Sequence, residues 1–399
     1  MQINQPYLII DLNDNKIIFF VVSFTEKKDF KILKKIILET LGIQNGRVIN
    51  INTVSQLLKK TISIIEDELN YFFSNAVVVI DPNQINCLNV SGYKKLNGSQ
   101  VSNEDIAYIL NDIKKTILEN ENNDSLVHLF NSNFSLDSDN LENLPIGLFG
   151  EFYNQNMTFF LVNKNILKNI KAVFNNCGIN MEKIILKNFV EGIYLLSTKR
   201  KDKDFTILRL EKNRINISLF KNKSYIYTED FSFGFDLINK DISKLCSLKI
   251  DEVENFMKEI ELKDIIENDN ESYLEKKYFY NSPYRKIKHQ LILDIITARI
   301  EELFEICYKK NLNIKGLNRN NTVYVYVNSP EYFKNIQHVL EKSKITPLEC
   351  IFNNSTEQSL LASVNGACEL IGKGWEKEAI PKSYKKKSLI SNFFSRLFS

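Results

Sequence analysis

The sequence predicts a two-lobed α/β protein, and three observations lead to this prediction. Hydrophobic residues make up 44% of the 399 residues, which is enough apolar material for two or more packed domains. Short apolar runs typical of strands alternate with longer segments whose apolar residues repeat at the helical period. Pairs of strands followed by helices occur twice along the chain, which indicates two lobes of similar construction.

The chain opens with a predicted strand pair. Residues 7–11 and 16–22 are apolar runs of strand length. The turn between them, Asn13-Asp14-Asn15, suits a hairpin because Asn and Asp side chains tolerate a positive φ. Residues 76–80 are predicted to form a buried strand.

Two predicted helices have recognisable starts. Asn52 or Thr53 is the expected N-cap of a helix whose apolar residues continue to Leu69. Ser102 and Asp105 form a capping-box pattern ahead of the apolar face of residues 106–117. The remaining predicted strands are residues 158–162, 206–210, 214–220, 224–228 and 321–328. The remaining predicted helices are residues 166–177, 242–266, 287–307 and 358–371.

Composition excludes several classes of function. The net charge of +3 is too small for the chain as a whole to bind nucleic acid. Six cysteines are scattered without a CxxC motif, which is typical of reduced thiols in a cytoplasm. The three histidines are far apart and have no ligand spacing, so no metal site is expected.

The last fifteen residues, 385–399, have the pattern of an amphipathic helix. Placed on a helix, one face is continuously apolar and the other is polar. The helix is too short to span a bilayer but suits the membrane interface, where basic residues attract anionic headgroups. The predicted membrane-contacting residues are Lys385, Lys386, Lys387, Leu389, Ile390, Phe393, Phe394, Leu397 and Phe398. The alternative is a C-terminal helix docked on its own domain.

Five short stretches carry a resemblance to a known family. They are residues 42–50 (GIQNGRVIN), 101–106 (VSNEDI), 144–150 (LPIGLFG), 177–186 (CGINMEKIIL) and 296–305 (ITARIEELFE). Their order and spacing, together with the amphipathic terminal segment, resemble the FtsA family of actin-like bacterial cell-division proteins over essentially the whole chain.

This resemblance implies an actin-like (ribonuclease H-like) fold with an inserted, small α/β subdomain of the SHS2 type and a C-terminal amphipathic helix. It also implies boundaries for six segments of the chain. They are 1–87 with 158–195 for the first lobe, 88–157 for the insert, 196–240 with 320–374 for the second lobe, 241–319 for its outer subdomain, 375–387 for a linker and 388–399 for the membrane helix.

The resemblance also implies partners and a location. The expected partners are the C-terminal peptide of the tubulin-like FtsZ, further copies of this chain, anionic lipids and, through the insert, other division proteins. Arg285 and Arg299 reproduce the spacing of two arginines that contact the FtsZ peptide in the family, and arginine suits carboxylates because its planar fork makes two parallel hydrogen bonds. The alternative is that both are solvated helix residues. The expected location is the cytoplasmic face of the inner membrane at the division site.

The sequence departs from the family at the nucleotide site. Actin-like ATPases cradle phosphates between glycine-bearing turns, because glycine lets backbone amides approach the ligand. The first turn retains Asp11 and Lys16 but has Asn13 in place of glycine and Asp14 in place of a hydroxyl residue. The second turn lacks every glycine. A third, at residues 327–330, also lacks glycine.

The second turn carries Arg209 at the position of a metal-associated aspartate, followed by Glu211 and Lys212. Together with Gly366, these residues complete the degenerate nucleotide site. Arg209, Lys212 and Arg214 either meet phosphates by charge alone or are ordinary turn residues. An arginine is also expected to pair with Asp11 and to take the place of a ligand.

The sequence therefore predicts a non-enzymatic membrane adaptor with no cofactor and no metal. The alternatives are a pilus-assembly adaptor resembling PilM, and an actin-like ATPase that binds ATP with magnesium.

Overall fold

The computed structural model describes residues 5–198, 203–259, 272–315, 322–327, 350–353, 356–375 and 377–378. Contacts divide the chain into two units. The first contains Met1–Lys203, Phe220–Thr228 and Leu360–Ser399, and the second contains Asp204–Leu219 and Glu229–Ser359.

The first unit is built on a five-stranded sheet in the order β11-β6-β1-β2-β3. Its strands are β1 Tyr7–Leu12, β2 Lys16–Phe24, β3 Phe30–Glu39, β6 Asn75–Ile80 and β11 Asn180–Leu186. β1 pairs antiparallel with β2 and parallel with β6. β1, β2 and β6 are buried almost throughout, as expected for central strands covered on both faces. A small hairpin, β4 Ile43–Gln44 and β5 Arg47–Val48, precedes the first helix.

Among the described residues, four helices belong to the first unit outside the inserted sheet. They are α1 Ile51–Leu69, α3 Lys164–Asn176, α4 Lys187–Thr198 and the C-terminal α9 Thr356–Lys373, of which residues from 360 onward group with this unit. The N-cap of α1 is Asn50, whose side chain accepts from Thr53 N at 3.0 Å. The expectation of Asn52 or Thr53 as N-cap is therefore wrong, because Ile51 is already helical.

A second sheet interrupts the first unit, in the order β7-β10-β8-β9. Its strands are β7 Asn86–Lys95, β8 Asp124–Leu136, β9 Asp139–Leu141 and β10 Phe152–Asn163. Helix α2, Asn103–Asn120, covers it and begins with the predicted capping box of Ser102 and Asp105. The helix approaches β7 closely because Gly92 has no Cβ to collide with Ile109. The predicted boundaries and SHS2 likeness of this insert stay predictions.

Aromatic rings join the inserted sheet to the rest of the first unit. Phe160 from β10 stacks on Tyr225 with ring centroids 4.1 Å apart, and Phe130 from β8 meets Phe189 from α4 edge-on at 4.6 Å. All four residues are buried. Such a cluster combines large apolar burial with favourable ring geometry.

The third sheet has the order β14-β13-β12-β15-β16. Its strands are β12 Phe205–Leu210, β13 Ile215–Lys221, β14 Ser224–Phe231, β15 Thr322–Val327 and β16 Cys350–Asn353. These bounds confirm the predicted strand meander to within one or a few residues. β12 and β15 pair in parallel.

The outer part of the second unit is helical. It contains α5 Asp236–Cys246, α6 Ile250–Glu259, a 3₁₀ turn at Lys276–Tyr278, α7 His289–Phe304 with a π turn at Glu305–Lys309, and α8 Leu312–Lys315. The single helix predicted for 242–266 is wrong. Ser247 adopts the left-handed conformation with φ 49° and ends α5, and the chain restarts as α6.

Among the described residues, no helix combines the length and apolarity needed to cross a membrane. The predicted membrane helix at 388–399 lies outside them.

Candidate functional site

The turn between β1 and β2 is closed by its own side chain. Asn13 Oδ1 accepts hydrogen bonds from the backbone amides of Asn15 at 3.2 Å and Lys16 at 2.9 Å. The Asn13 amide donates to the Lys16 carbonyl at 3.3 Å. A phosphate-binding turn leaves such amides free to converge on the ligand. Here these amides already have partners.

Asp14, which stands in place of the family's hydroxyl residue, has a partner in the neighbouring hairpin. Its Oδ1 accepts from Gly46 N at 2.7 Å. Asn45 and Gly46 both have positive φ, 53° and 66°, as a tight two-residue hairpin turn requires. A Cβ on Gly46 would collide with the backbone of Asp81. The glycines of residues 42–50 therefore shape a hairpin that bonds to the first turn.

Asp11 is buried beside a lysine. Its side chain is 1% exposed, its Oδ2 accepts from Ser363 Oγ at 2.9 Å, and Lys187 Nζ lies 3.6 Å from the same oxygen. The expectation that an arginine pairs with Asp11 is wrong. Lys187 is the first residue of α4, directly after β11, and this position brings its ammonium group to the carboxylate.

The second turn joins β12 to β13 through residues 211–214. Glu211 N donates to the Arg214 carbonyl at 2.9 Å. The carbonyls of Glu211 and Lys212 accept from the amides of Phe235 and Asp236, at 3.1 and 2.8 Å. Gly234 permits this approach, because a Cβ there would collide with the Glu211 carbonyl oxygen. The turn is thus packed against the start of α5.

The charges of the second turn are paired within its own unit. Arg214 Nε lies 2.6 Å from Asp230 Oδ1, and both side chains are buried. Lys212 Nζ lies 2.9 Å from Glu254 Oε1 in a more exposed pair. Arg209 is 1% exposed. These contacts favour the reading of Lys212 and Arg214 as structural turn residues over one in which they meet a phosphate.

The other elements of the predicted nucleotide site add little. Gly366 lies within α9, where a Cβ would collide with the carbonyl of Val190 in α4, so helix packing accounts for this glycine. In the third turn, Val327 ends β15, and residues 328–330 lie outside the described residues. The described part of the chain also holds no group of three or more His, Cys, Asp or Glu side chains that could bind a metal ion.

Arg285 and Arg299 differ in their surroundings. Arg285 is exposed, in an irregular segment ahead of α7. Arg299 lies within α7, and its Nε is 2.5 Å from Asp241 Oδ2 of α5 while a second nitrogen reaches Glu302. The hydrogen bond to Asp241 raises the pKa of Arg299. Arg299 therefore links two helices, whereas Arg285 has no ion pair among the described residues.

A buried carboxylate holds the segment that presents Arg285. Glu252, at the start of α6, is fully buried and accepts from the amides of Asn281 at 2.7 Å and Ser282 at 2.9 Å. It also accepts from the Ser282 hydroxyl and from Lys249 N. Burial alone raises the pKa of Glu252, but these hydrogen bonds outweigh it and lower that pKa. Sequence reasoning missed this residue, which it had placed inside one long helix.

The chain after α9 is anchored rather than free at its first residues. Trp375 Nε1 donates to the Lys223 carbonyl at 2.9 Å. Glu378 is buried, with His128 Nδ1 at 2.7 Å and Lys183 Nζ at 3.4 Å. Since Leu186 N donates to His128 Nε2, the imidazole proton is on Nδ1 and is donated to Glu378. The predicted linker 375–387 therefore begins with residues fixed to the first unit.

No family model matches the chain. The cell division protein FtsA of Buchnera aphidicola subsp. Schizaphis graminum is 18% identical over 77% of this chain and 73% of its own length. FtsA of Neisseria meningitidis serogroup B is 20% identical over 77% of this chain and 74% of its own length. FtsA of Escherichia coli K12 is 17% identical over 69% of this chain and 65% of its own length.

As predicted, the chain is similar in sequence to FtsA proteins, over 69 to 77% of its length in these three comparisons. Its fold is actin-like, as predicted. Among solved structures, the PilM–PilN type IV pilus biogenesis complex superposes with a TM-score of 0.53 over 92% of this chain and 97% of that one, at 10% identity. That likeness concerns the fold alone. The low identity to the family is consistent with turns that have lost its glycines.

Proposed function

We propose that this chain acts in cell division as a membrane adaptor that tethers FtsZ filaments, self-associates and does not hydrolyse ATP. The cell-division role is supported by the relatives, which are cell division proteins matched over about three quarters of the chain. That observation carries the proposal. The pilus-assembly alternative has only a likeness of fold behind it.

The turn at Asn13 supports the part of the proposal in which the chain does not hydrolyse ATP. The Asn13 side chain occupies amides that a phosphate would need, and Asp14 bonds to Gly46 instead of leaving space for a ligand. In the second unit, backbone amides of α5 bond to the turn carbonyls. Productive phosphate transfer needs open, converging donors and a metal.

The FtsZ contact is proposed at Arg285, supported by its exposure and by the rigid segment behind it. Glu252 fixes residues 281–282, and Tyr284, adjacent to Arg285, is 48% exposed. An exposed arginine beside an exposed ring suits an acidic peptide with apolar residues. Arg299 contributes less in this proposal, because two carboxylates already share its guanidinium.

Titration of a labelled FtsZ C-terminal peptide tests this contact. Arg285→Glu should weaken binding by roughly tenfold or more, about 1.4 kcal/mol. Lys276→Glu, which makes the same change at another exposed position of this unit, is the matched control. Equal affinities for the two variants, with intact folds, would contradict the assignment. Charge reversal at Arg299 is a poorer test because it also breaks the bond to Asp241.

Membrane attachment is proposed through residues 385–399 on the pattern of the sequence. Phe393→Glu with Phe394→Glu should abolish flotation with vesicles containing phosphatidylglycerol, because two charges on the apolar face cost more than a short interfacial helix gains. A double variant that still floats like the unchanged chain would remove the tail from the proposal.

A further inference from the structure

A polar cleft in the first unit is lined by no residue of the two turns or of the Arg285 segment. It has a volume of about 550 Å³. Its walls come from β8 and β9 and the residues that follow β9, from the turn between β13 and β14, from Lys203 and from the chain after α9. The proposed cell-division role uses none of these residues.

The charged residues of this cleft are mostly basic. Lys203, Lys223 and Lys377 line it, and Glu142 is the one acidic lining residue. Glu142 is exposed, and its backbone carbonyl, not its carboxylate, accepts from Lys377 Nζ at 3.0 Å. Neither Lys203 nor Lys377 has an acidic partner among the described residues. Two ammonium groups without an acidic partner, those of Lys203 and Lys377, against one exposed carboxylate favour an anionic ligand.

A buried amide in the wall lacks a partner. Asn131 is 1% exposed and lines the cleft, and its Oδ1 accepts from Gln155 Nε2 at 2.8 Å. Its Nδ2 has no hydrogen-bond partner among the described residues. Buried donors are normally satisfied, and an exception calls for an explanation such as a bound group.

The cleft is held in shape by bonds between its walls. Asn131 N donates to the Lys377 carbonyl at 3.0 Å, and Lys223 N donates to the Lys203 carbonyl at 3.1 Å. Trp375 connects the chain after α9 to Lys223. Glu378, next to Lys377, is buried against His128 and Lys183. The lysine-bearing segments are thus fixed before any ligand arrives, which reduces the ordering cost of binding.

We propose that this cleft binds a phosphate group, through the ammonium groups of Lys203, Lys223 and Lys377 and the amide of Asn131. Lysine binds phosphate as a compact charge, and side-chain amides add neutral donors. The phosphate comes either from a soluble phosphate ester or from a lipid headgroup. This site does not depend on the FtsZ contact or on the tail.

Calorimetric titration of the full chain with inorganic phosphate and with glycerol 1-phosphate tests the proposal. Saturable binding is expected, and Lys203→Gln with Lys377→Gln should raise the dissociation constant at least tenfold. Lys168→Gln with Lys171→Gln removes the same charge from exposed positions of α3 and should change it less than twofold. Asn131→Asp retains the acceptor for Gln155 but replaces the free donor by a carboxylate, so it should also weaken binding, with circular dichroism confirming the fold.

Flotation with vesicles of phosphatidic acid in phosphatidylcholine separates the two sources, with Phe393→Glu and Phe394→Glu present in every variant so that the proposed tail attachment is absent. A loss of flotation in the Lys203/Lys377 variant beyond that of the Lys168/Lys171 variant assigns the phosphate to a headgroup. Equal flotation combined with lysine-dependent binding of glycerol 1-phosphate assigns it to a soluble ester. The proposal is overturned if neither probe depends on Lys203 and Lys377 more than on the control lysines, or if a hexaglutamate peptide binds more tightly than phosphate.

Discussion

In the first unit the turn at Asn13 is closed by neutral hydrogen bonds, whereas in the second unit the turn at residues 211–214 lies beside a buried ion pair. Asn13 uses a side-chain oxygen to accept from two amides. In the second turn Arg214 pairs with Asp230 and the backbone carbonyls accept from α5. The two turns have lost the family's glycines in different ways.

The buried carboxylates show the opposite pattern, with charged partners in the first unit and neutral donors in the second. In the first unit Glu378 fixes the chain after α9 through a lysine and a histidine. In the second unit Glu252 fixes residues 281–282 with backbone amides and a hydroxyl group. Each unit therefore contains one feature held by charge and one held by neutral donors.

The two turns are alike in where their glycines lie. Neither turn contains one, but each is contacted by a glycine from a neighbouring element, Gly46 in the first unit and Gly234 in the second. The glycines that would let a phosphate approach are missing from the turns, whereas these two neighbouring glycines let protein backbone approach them. Because each turn is closed by particular contacts, single substitutions that remove those contacts should destabilise it.

The largest effect is expected from Arg214→Met. It leaves the Asp230 carboxylate buried without its cation, and breaking a buried pair in this way costs about 3–5 kcal/mol of unfolding free energy. The matched control is Lys212→Met, which breaks the more exposed pair with Glu254 and should cost less than about 1 kcal/mol. Urea denaturation measures both. Similar losses in the two variants would mean that the second turn is not held by its buried pair.

Gly46→Ala should have the next largest effect. A left-handed residue with a Cβ costs about 1–2 kcal/mol, and the collision with Asp81 adds about 1–3 kcal/mol of overpacking. Gly147→Ala isolates the first cost, because Gly147 also has a positive φ, 85°, but open space around it. If the two variants unfold at the same urea concentration, the close approach at the first turn contributes nothing.

Asn13→Ala should cost about 1 kcal/mol, less than either change above. It removes one oxygen that accepts from two partly exposed amides, and water then replaces it. Asn15 and Lys16 amides should exchange hydrogen faster in this variant, which hydrogen-exchange mass spectrometry detects. Unchanged exchange would show that Asn13 does not close the turn.

The smallest expected effect is the pH dependence of stability that comes from the two buried carboxylates, which is absent near neutral pH. Glu252 and Glu378 both have a pKa lowered from the ordinary 4.5, so their contribution is complete above about pH 4.5 and is lost as the pH falls through the lowered pKa. Stability should be flat from pH 7 to 5 and fall in more acidic solution. Glu252→Gln should flatten the acid part of the curve, and an unaltered acid slope would contradict the role of this residue.

The sequence predicted the fold class, the likeness to FtsA proteins and half of the described strands, because long apolar runs and ordered motifs carry that information. Helix ends were predicted less well. Ser247 ends α5 in a left-handed conformation that its residue type does not announce, and Asn50 caps α1 two residues before the predicted cap. Strands β3, β7 and β8 were among those missed, because polar residues interrupt their apolar runs: lysines in β3, and Asn and Ser in β7 and β8.

At the site, the sequence showed which glycines were missing but not what replaced them. Asn13 could be predicted to occupy a turn, yet its bonds to Asn15 and Lys16 depend on a rotamer. The partners of Asp11, Asp14 and Glu378 come from segments 32 to 352 residues away in sequence. Such pairings depend on tertiary structure, and the one guessed for Asp11 chose the wrong cation.

Calorimetric titration of ATP with magnesium into the full chain tests the central claim, that both phosphate turns are closed by the chain's own groups. We expect no saturable binding up to millimolar nucleotide, because the amides of the first turn donate to Asn13 and the second turn is packed against α5. A dissociation constant below about 100 μM, roughly −5.5 kcal/mol, would contradict the account and show that the turns open for a nucleotide.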